Sequence, residues 1–416
     1  MFKFFKNIIR ENSKVIENYS FMTVLPFLNV FIGLFTYPFV IRVLGTTAYG
    51  TYVVMLSIFM IVTAFISFSF NLLATKEVAE NINNLHKKSQ IVSSVFFARI
   101  FLASIISIFV LLLPLFIPFL YSHFLLYIVC FLATLSQIFL HPWYFQAIEN
   151  MKIVTYIQLF FTLLSLPFIF FLLHSESDIV LYASIMTSTT IFGAFFSFVY
   201  LLKIEKIYII WTGFSSIKHR IQVSLPFFYT TIIGIIKEQS IPQILGIYFG
   251  MHQVALYDLA KKIMSIPLML TMNINNAFFP KFAKNPNMNT IKKIIKYEYI
   301  FGFICILIIA LLGKWAVHLL GGDMMKESYY ILLILSINIL TYLVVGAYIY
   351  FVFVLQNRNE LLLKNQILAF VSFFLFIFIG FYFYNSIYVL IFALVFSGIA
   401  EIVFCHWNFK KIITKK

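Results

Sequence analysis

Almost every Lys and Arg of this chain lies in alternate gaps between long, nearly uncharged apolar runs. A bilayer-spanning helix needs about 20 apolar residues, and short loops rich in Lys and Arg stay on the cytoplasmic side. Run length therefore sets the spans, and the basic gaps set the orientation. Of 416 residues, 62% are hydrophobic and 11% charged. That is more apolar surface than a soluble globule of this length can hide. The net charge of +15 does not point to nucleic acid, because the basic residues form no single patch.

The runs predict an all-α integral membrane protein with about twelve spans: Phe21–Val40, Thr51–Phe70, Ile91–Leu113, Phe119–Leu140, Val154–Leu173, Ile179–Leu202, Val223–Phe249, Val254–Phe278, Tyr299–Leu320, Tyr329–Leu355, Leu361–Tyr384 and Ile387–Phe409. Helices are expected because barrel strands alternate over about 10 residues, whereas these runs are continuous. Basic clusters (Lys3 to Lys14, Lys76 with Lys87 and Lys88, Lys203 to Arg220, Lys281 to Lys296, Lys410 to Lys416) fall on one side of a twelve-span chain. The gaps at Leu120–Ser122 and Asn385–Ser386 are uncharged, and His174–Asp178 carries only acid. Both termini are expected in the cytoplasm of a multi-pass protein. No cleavable signal peptide is evident. Residues 1–17 read as an interfacial amphipathic segment, with Phe2, Phe5, Ile8 and Ile9 set against Lys3, Lys6, Arg10 and Lys14.

The longest polar connection near the midpoint, 203–221, divides the chain into two six-helix bundles, 18–202 and 222–409, followed by a basic tail, 410–416. Leu25-Pro26-Phe27 and Leu225-Pro226-Phe227 open the two halves, with Gly33 and Gly234 about two turns later. Both halves begin on the same side. The expected relation is a parallel repeat, a pseudo-two-fold along the membrane normal.

A few charges break the rule. Lys237 and Glu238 lie about fourteen residues into span seven, about 21 Å deep at 1.5 Å per residue. An isolated charge there costs roughly 2.5–3.5 kcal/mol, so both are expected to face a protein-lined or water-filled cavity. Adjacent helix positions diverge by about 100°, so they are poorly placed to pair with each other. Gly234, Pro242 and Gly246 suggest a bent or open helix. Asp258 has Lys261 and Lys262 three and four residues on, on its own face. Arg42 ends span one on the side that should lack positive charge. Arg99 lies about two turns inside span three, placed for snorkelling or for a cavity. Glu401 sits in span twelve with no local cation; burial favours the neutral form of a lone carboxyl, which suits a proton carrier or a hydrogen-bonded structural acid. Positive charge predominates in this set, which fits an anionic cargo better than a small cation, for which acidic rings are expected.

Nothing resembles a catalytic constellation. No Gly-rich phosphate loop ends in Lys-Ser/Thr, and His123, His141, His252 and His318 stand singly, without clustered metal ligands. Cys130, Cys305 and Cys405 fall inside apolar runs and are read as core residues. Trp143, Tyr144, Trp211 and Trp407 near span ends read as interface anchors.

Four segments carry a resemblance. They are Tyr37-Pro38-Phe39-Val40-Ile41-Arg42-Val43-Leu44-Gly45 with Ala48-Tyr49-Gly50; Phe70-Asn71-Leu72-Leu73-Ala74-Thr75-Lys76-Glu77-Val78-Ala79, read as a loop after span two; Trp143-Tyr144-Phe145-Gln146-Ala147-Ile148-Glu149, read as a loop after span four; and Ala255-Leu256-Tyr257-Asp258-Leu259-Ala260-Lys261-Lys262 with Phe279-Pro280-Lys281. In this order and with this span count, the chain resembles the polysaccharide (Wzx-like) flippases of the multidrug/oligosaccharidyl-lipid/polysaccharide (MOP) superfamily. Ser69 and Ala147 depart from the Gly that many relatives carry there, and the two further spans usual in the related lipid II flippases are missing.

The resemblance implies a MATE/MOP-like fold in a bacterial inner membrane. It implies translocation of undecaprenyl-diphosphate-linked oligosaccharide units by alternating access, with a polysaccharide polymerase and a chain-length regulator as partners. No cofactor is expected; without an ATPase the drive would be an H+ or Na+ gradient, or product removal. Arg42, Arg99, Lys237, Lys261 and Lys262 are the expected cationic contacts to the cargo, and Glu238, Asp258 and Glu401 the expected coupling acids. The competing readings are a multidrug or cation antiporter of the same superfamily, which would favour an acidic cavity, and an O-antigen polymerase or ligase, which would carry a long outer loop.

Overall fold

Apolar side chains cannot hydrogen-bond, so a chain in lipid must satisfy its backbone internally, and helices do this within one segment. The computed structural model describes residues 13–284, 288–356 and 358–414; the side chains of 13–26, 270–290, 359 and 413–414 are not described. Among the described residues there is no strand. Residues 1–12 of the expected amphipathic segment, the side chains of Lys281 and Lys284, and Lys415 and Lys416 lie outside the described residues.

The chain runs through α1 (Ser13–Ser67), α2 (Phe70–Glu80), α3 (Leu85–Phe116), α4 (Pro118–Ser122), α5 (Phe124–Leu135), α6 (Pro142–Ala147), α7 (Met151–Leu172), α8 (Ile179–Lys203), α9 (Gly213–Phe249), α10 (Met251–Lys284), α11 (Met288–Gly321), α12 (Ser328–Ser336), α13 (Asn338–Tyr348), α14 (Asn359–Phe383) and α15 (Ile387–Thr414). The backbone leaves helical geometry at Gly45, φ 70°, which divides α1 into two helices; glycine reaches positive φ without a Cβ clash. With α1 counted twice, each of the twelve expected spans has its helix. Nine described stretches are long and apolar enough to cross a membrane, the first of them, Phe27–Glu80, holding both halves of α1. Helices α9 and α10 are longer than a span, but their apolar runs are interrupted by Lys237-Glu238-Gln239 and by Asp258, Lys261 and Lys262.

Local rules set the ends. Asn84 caps α3 through Oδ1, which accepts from the Lys87 amide at 3.0 Å. Ile117 is extended (φ −119°, ψ 103°) before Pro118, which opens α4. Asp178 and Ser175 form a capping box ahead of α8. Charged ends lengthen several helices beyond the apolar runs: α9 begins at Gly213, inside the expected linker, and continues unbroken through Gly234, Pro242 and Gly246. The two segments read as loops after spans two and four are helical, α2 and α6.

Helix contacts divide the chain into two units: Met1–Gly33 with Met55–Ile232, and Leu34–Val54 with Ile233–Lys416. In the first, α7 packs on α8, α5 on α8, and α2 on both α3 and α6. Trp143 and Tyr144 on α6 are 1% and 0% exposed. They are core residues of this unit and not interface anchors, because α6 packs on α2 instead of capping a span. Trp211 and Trp407 are exposed. In the second unit α14 packs on α15, α10 on α12 and α13, and α11 on α13. Ile291, Val344, Phe351 and Cys405 sit in its core. All three cysteines are buried. A π-helical turn, Ile349–Val354, continues α13. The loop after α11 carries Lys326, an exception to the alternate-gap pattern that is neutralised by Asp323 at 2.8 Å.

Candidate functional site: a cavity of crossed ion pairs

Lys237 and Glu238 are adjacent on α9 and point apart, so each finds its partner on a different helix. Lys237 Nζ lies 3.0 Å from Glu401 Oε1 on α15. Glu238 Oε2 lies 3.6 Å from Lys261 Nζ on α10. Tyr342 on α13 donates its hydroxyl to Glu238 Oε1 at 2.7 Å. Asn365 on α14 donates to Glu401 Oε2 at 2.9 Å, and the Cys405 thiol lies 3.6 Å from Asn365 Oδ1. The first pair is the more enclosed: its side chains are 12% and 9% exposed, against 35% and 37% for Lys261 and Glu238. All four line one cavity of about 280 Å³, with Tyr257, Tyr342, Asn338 and Gln366 among its other polar walls. The α13 residues Val345 and Gly346, and Ile349 of the π-helical turn, complete one side; such turns recur at functional sites.

Two sequence expectations change here. Glu401 has a cation beside it, supplied by α9 from 164 positions earlier, a contact that no local pattern shows. The cavity is also not cationic, since its two lysines face two glutamates.

A third pair lies elsewhere in the same unit. Lys262 contacts Asp258, one helical turn away on α10. Tyr49 donates to Asp258 at 2.9 Å, and the Lys262 ammonium donates to the Tyr49 hydroxyl at 2.6 Å. The same ammonium stands 5.1 Å from the Tyr37 ring centroid, within cation–π range. A Cβ on Gly50 would overlap the Met251 carbonyl, so only glycine permits this approach.

The arginines lie apart from the cavity. Arg42 is exposed, on the 34–54 segment of the second unit. Arg99 belongs to the first unit and is 0% exposed. Its Nη1 donates to the carbonyls of Gln137 and Leu140, each at 2.6 Å, and its Nη2 to Asn71 Oδ1 at 2.8 Å. Helix α5 stops at Leu135 and passes through a short 3-10 turn. Arg99 supplies the donors that the broken backbone lacks. It neither snorkels nor lines the cavity. Sequence reasoning also missed Arg220, whose guanidinium grips Glu77 at 2.7 and 2.9 Å and Ser94 at 3.0 Å.

The four segments that carry the resemblance form two contacts. The Tyr37–Gly50 segment meets α10 at Ala255 and Asp258. Helix α2 meets α6, with the Thr75 hydroxyl 3.4 Å from the Trp143 carbonyl. Ser69, in place of glycine, adopts φ 53°, a conformation that favours glycine.

Comparison with known proteins accords with this architecture. The model of the family described as polysaccharide biosynthesis protein matches residues 15–286. A protein of Escherichia coli (strain K12), named as a candidate O-antigen transporter, is 24% identical over 280 residues, 67% of each chain. Among solved structures, a multidrug resistance MATE family transporter of the MOP superfamily in its inward-facing conformation superposes with a TM-score of 0.75 at 14% identity, over 94% of this chain and 95% of that one. A MOP superfamily transporter from Pyrococcus furiosus, described as having a binding pocket of reverse polarity, gives 0.64 at 13% identity over 97% and 96%. These likenesses show the MATE-type fold. The chain is a multi-pass membrane protein and belongs to the polysaccharide biosynthesis protein family.

Proposed function

We propose that this chain is a flippase that carries oligosaccharide units linked to undecaprenyl diphosphate from the cytoplasmic to the outer leaflet by alternating access. The observation that carries the reading is the cavity with two lysines and two glutamates held in crossed pairs inside the spans. Four charges in a membrane bundle are costly and are kept where a cargo or an ion uses them. A diphosphate presents several charged acceptor oxygens and competes with carboxylates for ammonium groups. When it displaces Glu401 from Lys237, or Glu238 from Lys261, the released carboxylate is free to bind a proton or Na+. Exchange between anionic cargo and cation at one pair thus couples transport to an H+ or Na+ gradient without a cofactor. Asp258, with Lys262 and Tyr49, is the third coupling candidate, and Arg42 a cargo contact outside the cavity. The cavity, at about 280 Å³, is smaller than sites that hold drug-sized ligands, so the glycan needs the wider opening of an open state while the lipid tail stays in the bilayer.

In this reading the chain is a transporter and not an enzyme. It sits in the bacterial inner membrane with both termini cytoplasmic, and it feeds a polymerase and a chain-length regulator. The test is reconstitution in vesicles containing fluorescent lipid-linked oligosaccharide, followed by a membrane-impermeant quencher. The chain is expected to expose the protected inner pool, and Lys237→Gln to slow this. An inner pool that stays protected while the vesicles take up a cationic dye would favour the antiporter.

A further inference from the structure

A second cavity of the 233–416 unit, about 570 Å³, has a different character. Helix α11 offers Lys292, Ile295, Lys296, Tyr299 and Ile300 to it, spaced by three and four residues along one helical face. Helix α15 offers His406, Phe409 and Lys410 in the same register, and Tyr348 of α13 joins them, its hydroxyl 2.9 Å from His406 Nδ1. Ile295, Tyr348 and Phe409 are buried and form an apolar floor, while the three lysines are exposed at the rim. The lysines come from the first turns of α11 and the last turns of α15, the basic end of both spans.

The placement on α11 is electrostatically unfavourable in isolation. Its N-terminal peptide dipoles already carry positive potential, which cations oppose and anions relieve. Among the described residues, no acidic side chain lines this cavity. An anion seated beside Lys292 and Lys296 answers both the dipole and their ammonium charges, and Lys410 of α15 lines the same rim. Ile300 and Tyr299, further along α11, extend the wall with apolar surface in the direction of the membrane interior.

We propose that this groove binds one anionic phospholipid of the leaflet on the basic side, with its phosphate among Lys292, Lys296 and Lys410 and one acyl chain along Ile295, Ile300 and Phe409. Basic pockets between membrane helices hold lipid headgroups in this way. The site shares no residue with the ion-pair cavity, so the inference does not depend on what that cavity transports.

The test is native mass spectrometry of the full chain released from detergent micelles with equal phosphatidylglycerol and phosphatidylcholine. The expected result is one retained phosphatidylglycerol in preference to phosphatidylcholine. Each lysine removed should weaken retention roughly fivefold. A triple K292Q/K296Q/K410Q variant should therefore lose the preference, while K293Q, beside the groove on α11 but outside its lining, keeps it. Equal retention of the two lipids, or loss of the preference in K293Q as well, overturns the proposal in favour of general surface attraction. Inorganic phosphate that displaces the lipid at millimolar concentration overturns the acyl-chain part and leaves a simple anion site. Ile300→Trp, which fills the wall without altering charge, is expected to reduce lipid retention; unchanged retention contradicts the assigned path.

Discussion

Breaking the Lys237–Glu401 pair should produce two variants with opposite responses to pH. At 3.0 Å and an effective permittivity of about 20, the pair attracts by about 5.5 kcal/mol before desolvation is charged against it. Removing one partner of such a buried pair costs about 3–5 kcal/mol, because a charge is left alone. Protonation sets a ceiling. In Lys237→Ala the stranded Glu401 can take up a proton, which at pH 7 costs an ordinary glutamate about 3.7 kcal/mol and at pH 5 about 1 kcal/mol. The folded variant then holds one proton more than the unfolded chain, so its stability rises as pH falls, by about 1.4 kcal/mol per unit. Glu401→Gln strands Lys237 instead. Relief requires losing a proton, which at pH 7 costs an ordinary lysine about 4.6 kcal/mol, so that variant stays nearly flat below pH 7 and gains stability only as pH rises beyond it. The double variant Lys237→Met with Glu401→Leu should be nearly as stable as the parent and flat with pH. Equilibrium unfolding in mixed micelles between pH 5 and 8, followed by circular dichroism, measures all four proteins. Parallel slopes in the two single variants, or a double variant less stable than either, would refute the reasoning.

Other expectations follow from single contacts. Arg99→Leu leaves the Gln137 and Leu140 carbonyls and Asn71 without their donor, each buried loss worth about 1–3 kcal/mol; the yield of folded protein should collapse, and normal yield with defective transport would return Arg99 to a cargo role. Gly50→Ala forces its new methyl into the Met251 backbone and should cost about 1–3 kcal/mol, visible as a lower melting temperature in detergent; an unchanged melting temperature would remove the tight approach. Ser69→Gly should be tolerated while Ser69→Val costs about 1 kcal/mol or more, because a β-branched residue resists the φ of 53° found there; equal stabilities would contradict the strain.

Span positions were legible because hydropathy and loop charge act over whole segments. Residues 27–44 and 46–67 separate at Gly45 inside the gap expected between spans one and two, and α14 and α15 (Asn359–Phe383 and Ile387–Thr414) match the last two runs. Short helices were not legible: α2 and α6 lack a span's apolar length and read as loops, yet tertiary packing holds them. The same limit applies to the site. That Lys237 and Glu238 need partners follows from depth alone, and that they point apart follows from helix geometry. Which partners they take depends on which faces of α9, α10 and α15 meet. That is why Glu401 read as a lone acid, and why Arg99, with three acceptors contributed by other segments, read as a cavity cation.

The central claim, movement of a lipid-linked glycan between leaflets, is tested most directly in a strain that lacks this gene but still builds the repeat unit. Spheroplasts of that strain are probed with a membrane-impermeant glycan label. Single repeat units confined to the cytoplasmic leaflet, and exposed again when the intact gene is restored, are the predicted result. Single units already labelled on the outer face yet never polymerised would contradict it.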